Sequence, residues 1–221
     1  HVKHPEESID TSLSGADSPL ARELSDLTAR RRILDQPAPP LPARPRVFTV
    51  SNQKGGVGKT TTTVNIAAAL ARFGAKVLVI DLDPQGNAST ALGIDHHGDI
   101  PSIYDVLVEG KSLSSVIQKS TEEGELYCAP SNLDLAGAEI QMFSIERREY
   151  LLRDALERFF NEPGNDYHYV FIDCPPSLGL LTINAFSSAR EVLIPIQCEY
   201  YALEGLTQLL STIEMINQGL N

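Results

Sequence analysis

The amino-acid sequence predicts an α/β fold: a mainly parallel, twisted sheet with helices on both faces, in three layers. Three observations carry this. Lys76–Asp81 and Tyr169–Asp173 read as continuous apolar strands, as expected inside a sheet covered on both sides. Helical patterns alternate with strand patterns, which implies right-handed crossovers between parallel strands. A glycine-rich turn joins the first strand directly to the first helix of that alternation. With 221 residues, of which 42% are hydrophobic, the chain can bury one core of this kind.

The elements follow in order. Arg46–Ser51 is a short apolar strand. Thr60–Phe73 is a helix with Val64, Ala67, Ala68 and Ala71 on its apolar side, and Gly74 ends it. Lys76–Asp81 is the second strand and Leu126–Pro130 a weaker one. Glu146–Phe160 is strongly amphipathic and predicts a helix. Tyr169–Asp173 is a buried strand, Leu178–Ala189 helical, Glu191–Ile196 a strand and Leu203–Asn217 helical. No internal repeat is present.

Residues 1–45 are set apart from residues 46–221. They hold seven of the fourteen prolines, crowded at Pro37, Pro39, Pro40, Pro42 and Pro45, a composition that favours an extended spacer. Before it, Ser18 as N-cap, Pro19 at the first helical position and Arg30, Arg31 and Arg32 at the end mark a helix. Leu20, Leu24, Leu27 and Leu34 fall on one side of that helix. This extension is expected to be a largely disordered tail or a single docking helix, with the nucleotide-binding domain beginning at residue 46.

The loop Gln53-Lys54-Gly55-Gly56-Val57-Gly58-Lys59-Thr60 is built for phosphate. Gly55, Gly56 and Gly58 let the backbone curl without Cβ clashes. Its N–H groups and the positive end of the following helix face the anion. Lys59 can reach the β- and γ-phosphates of ATP, the Thr60 hydroxyl can ligate Mg2+, and Thr61 can donate to an inner phosphate. Gln53 stands where the common pattern has a glycine, and Lys54 adds a second lysine before the paired glycines. Three aspartates end apolar strands or follow them closely, where ligands of open α/β sheets bind. Asp173 ends Tyr169-Val170-Phe171-Ile172 and is expected to hold magnesium. Asp81 and Asp83, two apart, are expected on one face of a continued strand, where either can orient water or metal.

Composition excludes other classes. No apolar run approaches the length of a membrane span. Cys128, Cys174 and Cys198 lack metal spacing and read as reduced, buried thiols. A net charge of −11 opposes a generally basic DNA-binding surface while leaving room for a local patch.

With Asn52 to Thr61, the block Asp81-Leu82-Asp83-Pro84-Gln85-Gly86-Asn87-Ala88, the block Ile172-Asp173-Cys174-Pro175-Pro176-Ser177 and the block Gln197 to Gly205, the chain resembles ParA (Soj-like) chromosome-partitioning ATPases. These belong to the ParA/MinD class of deviant Walker P-loop NTPases. The resemblance runs from about Val47 to Asn221. It implies a magnesium-dependent ATPase of the bacterial cytoplasm, associated with the nucleoid, whose ATP-bound homodimer binds DNA without sequence preference. A ParB-type centromere-binding partner stimulates hydrolysis. It further implies that Lys54 reaches across to the partner subunit's phosphates, that Asp83 positions the attacking water and that Asp81 supports magnesium. By the same resemblance the core is expected to continue beyond Asn221 and to carry its DNA-binding residues there, since no Lys or Arg follows Arg190. Three alternatives stay open: a MinD-like positioning ATPase acting on membranes, an iron–sulfur ATPase like nitrogenase iron protein, and a nucleotide-switched binding module without catalysis.

Overall fold

The computed structural model describes residues 18–34, 38, 40–197 and 202–219, without the side chains of residues 29–34, 202–204 and 217. Cys198, Glu199, Tyr200 and Tyr201, read above as a thiol and as part of a family block, lie outside the described residues, as do Pro37 and Pro39. The chain divides into two compact units between Pro39 and Pro40. The first carries helix α1 (Pro19–Leu34), whose start is capped as the sequence implies: the Ala21 N–H donates to the Ser18 hydroxyl at 3.1 Å. Leu20, Leu24 and Leu27 are exposed on it.

The second unit holds strands β1 (Arg46–Val50), β2 (Lys76–Asp81), β3 (Gln118–Lys119), β4 (Glu125–Ala129), β5 (Tyr169–Asp173) and β6 (Glu191–Leu193). Its helices are α2 (Lys59–Arg72), α3 (Asn87–Ala91), α4 (Ile103–Leu107), α5 (Leu135–Met142), α6 (Leu151–Asn161), α7 (Leu180–Ser188) and α8 (Ala202–Gly219). The strand order is β3-β4-β2-β5-β1-β6. All pairings are parallel except β3 with β4. Along β2 the side chains alternate: Val77 and Val79 face α2 and α3 with Ala67, Ala71 and Leu92, while Leu78 and Ile80 face α4 to α7 with Ile103, Leu135, Leu156 and Phe159. Each large aliphatic side chain removed from water in this way contributes about 1.5–3 kcal/mol. The result is a three-layer α/β sandwich, and the strands that the sequence reads as apolar throughout are those buried on both faces.

Three features depart most from the sequence reading. The helix expected over 146–160 begins at Leu151, because Arg147 adopts a left-handed backbone (φ 57°) and residues 148–150 form a separate 3-10 turn. The strand expected over 191–196 stops at Leu193. Pro195 has no N–H to offer a ladder, and its carbonyl accepts from the Asn52 side chain at 2.8 Å. The sheet at β2 ends with Asp81, so Asp81 and Asp83 do not share a strand face. Leu82 turns away with its N–H on the Asp173 carbonyl at 2.9 Å, and its side chain is fully buried.

Candidate active site

The phosphate loop leaves the carboxyl end of β1 between its neighbours β5 and β6. Its entry is tied down by side chains. Asn52 accepts from the Lys54 N–H at 3.0 Å, and Gln197 donates to the Gly56 carbonyl at 3.1 Å. Gly56 (φ 74°) and Gly58 (φ 87°) take left-handed conformations that a side chain would strain. Gly58 is the N-cap of α2 and no side chain caps that end. The first N–H groups of a 14-residue helix are therefore left for an anion. Lys59 is 8% exposed and folds back so that its ammonium donates to the Lys54 carbonyl at 3.2 Å. Lys54 itself is exposed.

A cavity of about 380 Å3 opens over this loop, lined by Gly56, Gly58, Lys59, Thr60, Thr61, Asp83 and Asn87. Behind it stands Asp173 at the end of β5, fully buried. One carboxylate oxygen accepts from the Thr60 hydroxyl at 2.7 Å and the other from the Thr63 hydroxyl at 3.0 Å. Burial pushes the Asp173 carboxyl up to about 6, against the two hydroxyls, which pull it down; the charge of Asp83 pushes it up further. Asp81, its partner in register on β2, is held differently. One oxygen accepts from both the Ser89 N–H (2.9 Å) and the Ser89 hydroxyl (2.7 Å), the other from the Asp83 N–H (3.1 Å). Burial raises it to about 7, opposed by the Ser89 bonds and assisted by Asp173.

The structure thus brings Lys59, Thr60, Thr61, Gly56, Gly58 and Asp83 to one cavity with Asp173 behind Thr60. It does not place Asp81, Lys54, Gly55 or Val57 on that lining, and the Val57 side chain is buried in the domain. Sequence reasoning assigned no role to Asn87, Thr63 or Ser89. Asn87 was within reach, since it lies inside the block that begins at Asp81. A larger cavity of about 550 Å3 lies between α6, α7, β6 and α8, with Phe160, Phe186, Val192 and Ile213 in its wall. No strand-end carboxylate and no glycine-rich loop faces it, so the smaller one is the candidate site.

The donor set fits a hard divalent cation. Thr60 and Asp173 offer oxygen only, and a buried carboxylate whose charge is disfavoured by burial gains from a cation nearby. Among the described residues no three of His, Cys, Asp and Glu form a metal-binding group. A magnesium ion in a phosphate site draws most of its shell from phosphate and water, so a protein share this small suffices. Among the described residues no helix is long and apolar enough to cross a membrane.

A family model described as an AAA domain matches residues 45–221. The sporulation initiation inhibitor protein Soj of Bacillus subtilis (strain 168) is 48% identical over 176 residues, covering 80% of this chain and 68% of the relative. This chain belongs to the ParA/Soj family. The chromosome partitioning protein ParA of Myxococcus xanthus is 49% identical over 176 residues, again 80% of this chain but 60% of the relative, so the chain spans only part of the length of such ParA proteins. Among solved structures, that of a protein named cobyrinic acid a,c-diamide synthase from Mycobacterium smegmatis, with bound ATP analog and magnesium, superposes with a TM-score of 0.73. The two are 43% identical, and the match covers 80% of this chain and 70% of that one. A putative plasmid partition protein from Borrelia burgdorferi bound to AMPPNP gives a TM-score of 0.69 at 30% identity, over 79% and 70% of the two chains.

Proposed function

We propose that this protein is a magnesium-dependent ATPase of chromosome partition. Its ATP-bound homodimer holds DNA without sequence preference and answers to a ParB-type partner in the bacterial cytoplasm. The observation that carries the reading is the cavity at the start of α2, lined by Lys59, Thr60 and Asp83, with Asp173 fixed behind Thr60. The names of the relatives support the partition role, and the nucleotide-bound neighbours support the ligand.

The residues divide the work. The N–H groups of Gly55 to Gly58 and of the first turn of α2 bind the phosphates, and Thr61 donates to an inner one. Lys59 leaves the Lys54 carbonyl for the β- and γ-phosphates. Thr60 and Asp173 would hold magnesium, which would supply charge neutralisation at the terminal phosphates. Asp83 accepts a hydrogen bond from the attacking water and orients its oxygen toward the γ-phosphorus; the bond to the bridging oxygen breaks, and ADP and phosphate leave. Asp81 would support the magnesium site from behind by holding the segment that carries Asp83. Lys54, exposed on its own loop, reaches the phosphates of the partner subunit, as an arginine finger does in trans.

Sedimentation of the full-length protein with ATP and Mg2+ tests the reading. The parent should dimerise and hydrolyse ATP, and Lys54→Ala should bind ATP as a monomer within about twofold of the parent, with turnover lost by about 100-fold or more. A Lys54→Ala protein that dimerises and turns over normally removes the in-trans role; a parent that binds no ATP removes the reading entirely.

A further inference from the structure

Thr63 is the one hydroxyl of the Lys59-Thr60-Thr61-Thr62-Thr63 run that is wholly buried. It lies one helical turn beyond Thr60, so both side chains of α2 face the end of β5. Its hydroxyl is 3.0 Å from the Asp173 oxygen that Thr60 leaves open, and also 3.0 Å from the Lys59 carbonyl one turn back. A hydroxyl has one proton to give. The backbone carbonyl is the ordinary helical partner of such a threonine, but a carboxylate is the stronger acceptor, and this one has no other hydroxyl on that oxygen.

The geometry points to Thr63 as a positioning residue for the magnesium site. Resting on the nucleotide-site reading above, this gives the buried hydroxyl a duty beyond helix satisfaction. Two hydroxyls on one rigid helix hold the two oxygens of Asp173 and so set the plane of its carboxylate. With that plane set, Thr60 keeps its proton on Asp173 and turns a lone pair toward the cavity, where a divalent cation meets it. Without Thr63, Asp173 rotates about its Cβ–Cγ bond, the acceptor for Thr60 loses its fixed direction, and the Thr60 oxygen is no longer presented to the metal. Thr63 is not on the cavity lining, so its effect on the metal passes through Asp173.

Binding of a fluorescent ATP analogue to the full chain, titrated with Mg2+, tests this. Thr63→Val keeps the shape of the side chain and removes the hydroxyl. Its affinity for the analogue without Mg2+ should stay within about twofold of the parent's. The Mg2+ concentration needed for half-maximal enhancement should rise roughly tenfold, the usual cost of losing an outer partner of a metal ligand. Thr63→Ser should restore the parent's value. An unchanged Mg2+ requirement in Thr63→Val overturns the proposal and leaves Thr63 as a helix-satisfying threonine. If the valine destabilises the chain, Thr63→Ala against Thr63→Ser makes the same comparison, and equal Mg2+ requirements for those two also overturn it. A parent that shows no Mg2+-dependent nucleotide binding fails at the earlier step and takes down the site reading together with this one.

Discussion

Two neighbouring strands end in aspartate at the same register, Asp81 on β2 and Asp173 on β5, and the chain handles them in opposite ways. Asp173 is gripped by hydroxyls of α2, the helix that starts at the glycine-rich loop, so its position depends on the element over which the cavity opens. Asp81 is gripped by the loop and helix that follow it, through Ser89 and the Asp83 N–H, and Ser89 also accepts from the Ser131 N–H at 3.2 Å beyond β4. One carboxylate bears on the cavity through Thr60. The other anchors the segment that carries Asp83 and Asn87 into the cavity. Identical strand ends thus acquire different duties from whatever packs against them, and a strand-end aspartate is not by itself a metal ligand.

The largest effect should come from the helix that grips Asp173. Lys59→Ala removes the cavity's buried ammonium and should weaken ATP binding by about 100-fold or more, roughly 3 kcal/mol, as isothermal titration would record. Normal affinity would move the ligand away from α2 and dissolve the contrast. Next is the segment anchored by Asp81: Asp83→Ala should keep ATP affinity and lower kcat by about 100-fold, since a water-orienting group acts mainly in the transition state. Single-turnover kinetics with unchanged rates would hand that role to another group.

The sharpest discrimination lies in pH. The folded carboxyl of Asp81, at about 7, holds its proton more tightly than an unfolded aspartate at 3.8. Its contribution to stability is therefore fully present below about pH 4 and is lost as pH rises through 7. Asp81→Asn cannot ionise. It keeps an oxygen for Ser89 and sets an amide against the Asp83 N–H, so at pH 8 it should be more stable than the parent by about 1–2 kcal/mol, the difference fading toward pH 4. Denaturant melts at both pH values measure it. A variant less stable at pH 8 would mean that the Asp83 contact outweighs the buried charge. The smallest effect belongs at the far end of the sheet. There Arg46 of β1 pairs with Glu191 of β6 on the surface, the side chains 47% and 36% exposed. Arg46→Ala should cost about 0.5 kcal/mol and leave nucleotide binding alone; a measurable loss of ATP affinity would show that strand ends on the two sides of the sheet are coupled.

Much of this was written locally. β2 and β5 were legible to the residue because they are buried on both faces, and α2 because its apolar stripe begins at a glycine loop. The short helices α3, α4 and α5 and the two-residue β3 were not, since five to eight residues carry too little periodicity. β6 was overextended because an apolar run continues through Ile194 and Ile196 while its ladder partner β1 turns into the loop. In the site, the loop, Asp83 and Asp173 are sequence motifs. The work of Thr63 and Ser89 is not, because each acts on a carboxylate 110 and 8 residues away respectively, and only the folded sheet brings the distant one close.

The place of β1 in the strand order has a consequence for synthesis. β1 is flanked by β5 and β6, so Arg46 has no strand partner until Tyr169 exists, and Ser51 has none until Leu193 does. On a ribosome adding about 5–20 residues per second, the phosphate-loop sequence waits on the order of ten seconds for the backbone on which it is built. The nascent chain meanwhile exposes the apolar edge of β1, and nucleotide cannot help it fold during that interval. The loop takes its final support only when the central sheet closes around β1.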